Sequence, residues 1–494
     1  MSHSILIAGA GISGLFASIA LARAGYTVKL LEQDTAPPQA DANEAFDIWQ
    51  RRGVGQFRHS HAFLARLVNL IQEHYPDLYQ SFLDAGARSL MFKDSLSTSL
   101  RKKYTPESGD EQLTLLSCRR TTLELVLREY VEQLPNVDVQ HCTAVKGLVT
   151  RGGDDGLTVC GLQVEQDGQV DAEIRADVVV DATGRLSLFP SWFKALGVQI
   201  PEEKNDAEIL YYTRHYRLRE GMSEPERGDI PANGDLGYIK YGVFPADNGR
   251  FSVTICIPQQ ETELRRALRE GEQFDKICNT FPGLKPWLEP ERAEPVDNVY
   301  VMGDIRSRYR HYIKDEKPLA LNFFAIGDAL IRTNPLYGRG CSLGMVQAHL
   351  LAEVLSETDD PTQRAVLFDQ RVETEVRPHY LDSVTNDKNA IKQAARTRVK
   401  TDKKPGLKAR LAASFGKAIQ AAARDDLEIA RTFSRAFNLL DKPIALRNRR
   451  LLMKALWYWG RGEKRNQHLL HKPGPKRDEM YAILGISIDQ QVEP

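Results

Sequence analysis

The alternation of hydrophobic and polar blocks in residues 5–32 predicts a strand, a helix and a second strand. An apolar run from Ile5 to Ala8 leads into a turn and a helix-length apolar segment, and the second apolar run ends at Glu32. The turn has GxGxxG spacing, with glycines at Gly9, Gly11 and Gly14. In a dinucleotide site the first glycine makes the turn, the second admits the pyrophosphate and the third lets helix pack on strand. Glu32 is then placed for a ribose hydroxyl, so the pattern predicts dinucleotide binding, with an unphosphorylated ribose as in FAD or NAD.

Further apolar periodicities predict a meander in the second hundred residues. Strands are expected at 137–140, 144–150, 157–166, 170–174 and 178–180. Asp167 and Gly168 form a type I′ hairpin signal between two of them. The pattern indicates an antiparallel meander between parallel strands. The last strand would deliver Asp181 and Gly184 at its carboxyl end, where ligands sit in open α/β sheets.

The middle of the chain predicts a separate sheet with a substrate face. Strands are expected at 209–216, 236–244 and 250–258, followed by a helix over 261–278. The segment 86–104 alternates apolar and polar residues, which predicts strands in a sheet outside the first domain.

A third segment returns to the pattern of a buried strand, a Pro/Gly loop and a helix, over 319–355. The rest is helical and basic. In residues 446–465, five apolar residues fall near one helical face among basic residues: Leu446, Leu451, Leu452, Leu456 and Trp459. We expect a terminal helix packed on the core with a basic side in solvent; peripheral membrane contact is the alternative that is not favoured.

Composition narrows the class. The chain has 494 residues, enough for two or three core-forming units. Lys plus Arg and Asp plus Glu are 66 each, so no global field suggests a nucleic-acid partner. Six cysteines without CxxC clustering argue against a metal site and a disulfide framework, and a cytoplasmic location is expected. No uninterrupted apolar stretch is long enough to span a membrane.

Two basic groups are candidates for chemistry. Arg119 and Arg120 begin a predicted helix, where a phosphate partner would compensate the helix dipole; a solvated arginine pair is the alternative. Arg58, His59 and His61 lie in a glycine-containing loop, for which we favour a solvated basic loop with one histidine capping the next helix.

Three motifs together resemble the FAD-dependent monooxygenases of the glutathione-reductase-type fold, the group with aromatic hydroxylases and squalene-epoxidase-like enzymes. They are GAGISG with Glu32, DATGR, and GDALIRTNPLYGRG. Within that group the chain is most similar to bacterial polyene epoxidases of polyether pathways, through RRGVGQFRHSH, DATGRLSLFPSWFKALG, YYTRHY and NPLYGRG. The chain departs from the likeness in Phe57, where glycine is usual, and in Arg339 and Cys341, where glutamine and methionine are commoner.

The resemblance implies a set of site residues. The ADP half of FAD would be held by Gly9, Gly11, Gly14 and Glu32, and Ser13, Asp181 and Gly184 are further expected cofactor-binding residues. Val145 would contact the adenine through its backbone and Arg120 the pyrophosphate side. The flavin half would be held by Gly327, Asp328, Pro335, Gly338, Gly340 and Cys341, with Asp328 on the ribityl chain. A helix that begins near Cys341 would stabilise the negative charge of a reduced flavin. The candidates for orienting the substrate or donating protons are Arg58, His59, Tyr212 and Arg214, and a structural hydrogen-bonding role is the alternative for each. No metal is expected.

The predicted fold is α/β: a GxGxxG FAD-binding Rossmann-like domain, an inserted mixed β-sheet substrate domain and a C-terminal helical region. The FAD-binding domain would be discontinuous over 1–75, 113–190 and 296–355. The substrate domain would take 76–112 and 191–295, and the helical region 356–494.

The expected function is a monooxygenase of secondary metabolism that epoxidises or hydroxylates a largely apolar small molecule through a flavin hydroperoxide. Electrons would come from NAD(P)H directly or through a separate flavin reductase, because no second GxGxxG unit is present. The alternatives are an FAD-dependent alkene reductase of the geranylgeranyl-reductase kind and a non-catalytic FAD-stabilised scaffold. A halogenase is disfavoured, because GYIKYGVFP shows no WxWxIP signature.

Overall fold

The computed structural model describes residues 3–153, 156–166, 169–398 and 406–486. Its strands are β1 Ser4–Ala8, β2 Thr27–Leu31, β3 Arg88–Leu90, β4 Leu115–Ser117, β5 Val137–Gln140, β6 Thr143–Gly153, β7 Gly156–Gln166, β8 Gln169–Arg175, β9 Val178–Asp181, β10 Glu202–Asp206, β11 Ile209–Leu218, β12 Asn233–Asp235, β13 Lys240–Pro245, β14 Arg250–Pro258, β15 Ala293–Pro295, β16 Tyr300–Met302, β17 Arg306–Arg310, β18 Ile313–Lys314, β19 Lys317–Pro318, β20 Phe323–Ala325 and β21 Ile331–Arg332.

The α-helices are α1 Ile12–Arg23, α2 Ala42–Ile48, α3 Ala65–His74, α4 Pro76–Asp84, α5 Phe92–Ser95, α6 Thr98–Arg101, α7 Arg120–Glu132, α8 Phe189–Ala195, α9 Thr262–Ala267, α10 Gly271–Cys278, α11 Gly340–Glu357, α12 Pro361–Glu375, α13 Arg377–Arg398, α14 Leu407–Asp425, α15 Leu427–Phe437, α16 Arg449–Arg461, α17 Glu463–Asn466 and α18 Arg477–Leu484.

A parallel sheet in the order β20-β9-β1-β2-β5 forms the centre of the first unit. Its strands are apolar and buried because helices cover the sheet, and α1 is buried almost all round. The carboxyl ends of β1, β9 and β20 meet at one edge, where Ala8 pairs with Asp181 and Asp181 with Ala325. The three sequence motifs follow these three strands, so the fold brings them together.

The antiparallel meander is confirmed as the sheet β6-β7-β8, inserted between parallel strands β5 and β9. The predicted Asp167-Gly168 turn lies outside the described residues. Gln166 pairs with Gln169 across it, so the two flanking strands are antiparallel neighbours.

The second large sheet has the order β12-β13-β14-β11-β15, and β16 also pairs with β11. One of its faces packs against α9 and α10 around a core that includes Phe251, Ile255 and Phe274. The helix predicted over 261–278 is two helices, interrupted at 268–270. The strand predicted over 236–244 begins only at Lys240, because Gly237 has a φ of +82° and turns the chain.

The prediction of strands over 86–104 is wrong for most of that segment. Only Arg88–Leu90 is a strand, and it pairs with β4. Two short helices follow, and the second begins where the Ser97 hydroxyl accepts a hydrogen bond from the Leu100 backbone N–H. Such a local cap favours a helical turn over the alternating pattern.

The C-terminal region is helical, as predicted. Helices α14 to α16 share a small core of their own that includes Ala421, Ile429 and Leu451. Helix α18 returns to the second sheet, where Tyr481 is buried and its hydroxyl donates to Glu261 at 2.6 Å. No helix within the described ranges has the length and apolarity of a membrane span. The predicted α/β class with a Rossmann-like core, further sheets and terminal helices is confirmed.

Candidate active site

The glycine turn after β1 has the geometry of a phosphate-binding turn. Gly9 has a φ of +97°, which L side chains rarely adopt. A Cβ on Gly14 would overlap the Gly9 carbonyl oxygen, so α1 packs against the turn only because Gly14 lacks one. Gly11, by contrast, has extended backbone and no atom within 4 Å of a built Cβ. The turn therefore leaves open space at the glycine where a pyrophosphate would approach.

Ser13 fills the gap between the first and third motifs. Its hydroxyl occupies the space that a Cβ on Gly327 or Gly344 would need. Gly327 also has a φ of +59°, and its N–H donates to the Gln347 side-chain oxygen at 2.8 Å. Helices α1 and α11 thus approach closely through small residues.

Glu32 lies at the end of β2 in a buried charge cluster. Arg51 Nη1 is 3.0 Å and Arg128 Nη2 3.3 Å from its Oε2. Burial raises the pKa of the Glu32 carboxyl, but Arg51 and Arg128 outweigh it and hold the pKa below its usual range. Both guanidinium groups also donate to the Ala10 carbonyl oxygen, at 3.3 and 2.5 Å. The arginines therefore lie beside the glycine turn.

Three charged residues on α7 extend this cluster. Arg120, Glu124 and Arg128 follow each other at four-residue spacing, so they share one helical face, and all are buried. Arg120 Nε donates to Glu124 at 2.6 Å, and Arg51 Nε is 3.3 Å from the same carboxylate. Within the described residues, Arg128 Nε and Nη1 are buried without a hydrogen-bond acceptor. Such donors are costly unless an acceptor is supplied, which fits an anionic ligand.

Asp328 follows β20 and faces the start of α11. Its carboxylate oxygen lies 3.9 Å from a Cβ built on Gly340. The side chain keeps accessible surface, yet burial raises its pKa above the usual range, while Arg332 and Arg308 lower it. Cys341 behaves similarly, with accessible surface and a pKa raised by burial. Asp328 and Cys341 are therefore half-buried groups beside the start of α11.

The loop between β21 and α11 is fixed from outside by α13. Asn334 Nδ2 and the Tyr337 hydroxyl donate to Asp387 Oδ1 at 2.7 and 2.9 Å. Arg339 donates to the His379 carbonyl oxygen and to Asp382, both at 2.7 Å. Arg339 therefore points away from α11 into α13. Around it, Pro335 and Gly340 are exposed, and Gly338 turns the chain with a φ of +65°.

The loop that contains the basic candidates is ordered by backbone contacts. The Arg58 guanidinium donates to carbonyl oxygens at the end of α2, including Trp49 O at 3.1 Å. Arg58 therefore closes that helix end. His59 is buried, with Nδ1 2.8 Å from the Thr213 hydroxyl, and burial lowers its pKa to about 4. His61 keeps accessible surface, and burial lowers its pKa to about 3. Phe57 packs edge-on against Trp49 at 5.2 Å between ring centroids.

Alternate residues of β11 face opposite sides of the second sheet. Tyr212 is fully buried on the helix side, where its hydroxyl donates to Arg265 O at 3.2 Å. Arg214 lies on the same side and pairs with Asp275 at 2.7 Å. Tyr211 and Thr213 face the first unit, where the Tyr211 hydroxyl donates to Asn334 at 2.5 Å. The structure therefore places Tyr212 and Arg214 away from the other candidate residues.

Three predicted cofactor-binding residues lie in the segments next to the glycine turn: Asp181, Gly184 and Val145. The buried Asp181 carboxylate accepts from the Thr183 N–H at 2.9 Å and the Ser187 hydroxyl at 2.5 Å, so it is satisfied within its own loop. Gly184 has a φ of +74° and open space around it. Val145 is half-buried in β6, two residues after Thr143, whose N–H donates to the Glu32 carbonyl oxygen at 2.9 Å.

Sequence reasoning missed Arg51, Glu124 and Arg128, and for the two residues on α7 a signal was present. Three charged residues at four-residue spacing interrupt the apolar pattern of α7, and a charged face that turns out buried indicates a site. It also missed Tyr211, because the face of β11 was not assigned. The described part of the chain contains no cluster of three or more His, Cys, Asp or Glu side chains arranged for a metal.

Comparison with known proteins agrees with this geometry. Residues 2–374 match the family described as FAD binding domain. Protein Rv3254 of Mycobacterium tuberculosis (strain ATCC 25618 / H37Rv) is 27% identical over 369 residues, which cover 72% of this chain and 73% of that protein. Squalene epoxidase ERG1 of Candida albicans (strain SC5314 / ATCC MYA-2876) is 21% identical over 384 residues, 72% of each chain. The solved structure of the flavin-dependent brominase Bmp2 aligns with a TM-score of 0.59 and 14% identity, over 95% of this chain and 100% of that chain.

Proposed function

We propose that this chain is a monooxygenase that inserts one oxygen atom of O2 into an apolar small molecule by epoxidation or hydroxylation. The chain belongs to the FAD binding domain family and is an FAD-dependent oxidoreductase. One observation carries the proposal: the carboxyl edge of the parallel sheet brings together the open space at Gly11, the unsatisfied donors of Arg128 and the half-buried Asp328. The proposed cofactor path runs along this edge from Gly11 to Asp328. A relative named squalene epoxidase supports oxygen insertion into an apolar substrate.

The ADP half of FAD fits the first end of this path. The pyrophosphate would lie over Gly11 against the N-terminus of α1, whose first N–H groups lack helical acceptors. Arg51 and Arg128 would turn their donors towards it, and Glu32 would accept from the ribose hydroxyls. Val145 would contact the adenine through its backbone, while Asp181 and Gly184 shape the adjoining turn.

The flavin half fits the other end. Asp328 would accept from the ribityl hydroxyls, which supply the donors that a desolvated carboxylate requires. The loop 334–339 and the N-terminus of α11, beside Gly340 and Cys341, would face the ring. Arg120 lies between the two ends, since its Nη1 is 3.7 Å from Cys341 Sγ.

When bound and reduced, FAD supplies the activation of dioxygen, and the hydroperoxide route that the family resemblance implies is part of this proposal. The chain's own groups exclude water and position the substrate. His59 and His61 stay neutral at pH 7 because burial lowers their pKa values, so they act as hydrogen-bonding groups and not as cations. The face of β11 that carries Thr213 bonds His59 directly, so the substrate would lie on the other side of this loop, beside His61, which keeps accessible surface.

Cofactor binding is tested at Gly11. Substitution by valine fills the open space without a clash in the FAD-free chain, so the variant should fold normally and lose FAD binding. Gly152, which also has no neighbours within 4 Å, gives the matched control Gly152→Val. Flavin fluorescence quenching on titration with FAD measures the affinity. An unchanged affinity in Gly11→Val would move the cofactor site elsewhere.

The reaction is tested with the FAD-loaded protein, ¹⁸O₂ and a panel of apolar alkenes and aromatic compounds. A monooxygenase product gains the mass of one labelled oxygen atom, and the second oxygen leaves as water. Saturation of an alkene without oxygen uptake would show a reductase instead, and absence of any turnover after chemical reduction would favour a scaffold. Supplying NADH or NADPH with and without an added flavin reductase identifies the electron donor. Cytoplasmic location is part of the proposal.

A further inference from the structure

Helix α16 exposes an apolar face that is separate from the face it packs. Leu451, Ala455 and Tyr458 are buried against α14 and α15. With 3.6 residues per turn, the opposite side carries Leu452, Met453, Leu456, Trp457 and Trp459. Met453 is 66% exposed, Trp457 60% and Leu452 50%. The helix therefore has two apolar surfaces, one packed against α14 and α15 and a larger one exposed to solvent.

Helix α14 continues the exposed surface. The Trp459 indole N–H donates to Ser414 Oγ at 3.0 Å, and its ring meets Phe415 edge-on at 5.8 Å. Leu411 and Leu407 lie one and two turns before Phe415 and are both exposed. We call this combined surface of α14 and α16 the terminal face. Contiguous apolar surface of this kind marks an interaction site.

The terminal face is rich in basic residues, and acidic residues lie only along its edge. Helix α16 contains four basic residues and no acidic residue: Arg449, Arg450, Lys454 and Arg461. Helix α14 carries Lys408, Arg410, Lys417 and Arg424 before its only acidic residue, the final Asp425. Acidic residues at the edge pair with Arg450, Lys454, Arg461 and Lys417. Lys408, Arg410 and Arg449 are exposed and form no ion pair within the described residues, so the surface carries a net positive charge.

Two further features suit a lipid interface. Tryptophan prefers the boundary between headgroups and acyl chains, because its ring is apolar and its N–H is polar. The Arg461 guanidinium lies over the Trp457 ring, 4.8 Å from its centre, so its apolar stem runs beside the face while its charge stays at the edge. Arg449 is exposed at the start of α16, and Lys464 and Arg465 are exposed just after its end.

We propose that the terminal face docks the protein on an anionic lipid bilayer, with Met453, Trp457 and their neighbours in the interface and the basic residues on the headgroups. A second copy of the chain is a poorer occupant, because two like-charged faces repel each other. The docking is peripheral and reversible, and it does not depend on the reaction assigned above.

The test uses the full FAD-loaded protein and vesicles of phosphatidylcholine with or without phosphatidylglycerol. We expect co-sedimentation with the anionic vesicles, little with the neutral ones, and release as salt rises. The double variant Met453→Ser/Trp457→Ser should weaken binding about tenfold or more. Both side chains are exposed, so FAD content and unfolding should be unchanged. Met222→Ser, at an exposed methionine in another part of the chain, is the matched control.

The charge contribution is tested by Arg449→Glu, which should weaken binding to anionic vesicles about tenfold and reduce its salt dependence. Arg266→Glu, at another exposed arginine, should leave binding as it is. No sedimentation at low salt, or equal binding to neutral and anionic vesicles, would overturn the proposal. A concentration-dependent dimer that dissociates in Met453→Ser/Trp457→Ser, without vesicle binding, would assign the face to a second copy.

Discussion

Helix α13 holds the loop that precedes α11 through hydrogen bonds to Asp387, and we call this contact the brace. Its contribution can be tested by removing the Asp387 carboxylate. Asp387 is 3% exposed and accepts two short hydrogen bonds, from Asn334 and Tyr337. Burial raises the pKa of Asp387, and these donors partly offset that effect. Asp387→Ala removes the shared acceptor and leaves both donors without it in a buried place.

Two hydrogen bonds to a charged acceptor contribute about 1.5–3 kcal/mol each, or about 3–6 kcal/mol together. Removing a desolvated carboxylate returns part of that, so we expect a net loss of about 3 kcal/mol in the free energy of unfolding. FAD affinity should fall about tenfold, since the loop that faces the flavin end loses its support. Asp387→Asn keeps the shape of the side chain and one acceptor oxygen, so the loss in the free energy of unfolding should be about half as large.

Asp382 provides the matched control, because it also joins α13 to the same loop. It pairs with Arg339 at 2.7 Å, but its side chain is 27% exposed, and Arg339 keeps other acceptors in α13. Asp382→Ala should therefore lower the free energy of unfolding by about 1 kcal/mol or less. Urea unfolding and FAD titration of both variants measure the difference. If Asp387→Ala cost no more than Asp382→Ala, the brace would contribute nothing specific and the reasoning would be refuted.

The other predictions concern buried titratable and hydroxyl groups. Burial lowers the pKa of His59 to about 4 and of His215 to about 3, so the unfolded chain binds more protons below pH 6.5 and stability is lost as pH falls. Between pH 7 and 6 each of these histidines should cost about 0.7 kcal/mol in urea unfolding, and burial also lowers the pKa values of His61, His349 and His379. His215→Phe should therefore reduce the loss of stability over this range by about 0.7 kcal/mol. Burial raises the pKa values of Asp297 and Asp369 to about 6, so these carboxyls act in the opposite direction and offset part of the loss over the same range. The effect of His215→Phe is therefore measured as a difference from the unmodified protein. Tyr211→Phe should alter FAD fluorescence and turnover, because its hydroxyl bonds Asn334, whereas Tyr212→Phe should change only stability, by about 1 kcal/mol. Equal effects of the two tyrosines on the flavin would contradict the assignment of faces.

The parts of the fold that could be predicted are those with a local cause. Gly9 and Gly14 are required by a left-handed turn and a close helix–strand contact, and both requirements appear in the sequence as glycine spacing. Strands β5 to β9 lie within a few residues of their predicted bounds, because continuous or alternating apolar runs define them. The prediction of strands over 86–104 was wrong because the Ser97 hydroxyl caps a helical turn, and the apolar–polar alternation of this segment is weak.

The parts that could not be predicted depend on which surfaces meet. In β11 both faces carry tyrosine and polar residues, so alternation alone does not say which face meets the first unit. Choosing Tyr212 and Arg214 selected the face that packs on α9 and α10, one residue out of phase with Tyr211 and Thr213. Arg51 was missed for a similar reason, since its partners Glu32 and Glu124 come from two other elements.

The C-terminal helices support both the loop before α11 and the helix-covered side of the second sheet. The family match ends at residue 374, yet Asp387 holds the loop before α11 from beyond that point. On the other side of the second sheet, buried Glu261 is paired by Arg477 at 2.9 Å and by the Tyr481 hydroxyl. A chain cut after residue 374 would leave Glu261 and Asn334 buried without these partners, and an uncompensated buried carboxylate is strongly destabilising. The part of the chain that matches the family is therefore insufficient for this protein, and the loop proposed to face the flavin depends on the helices that follow.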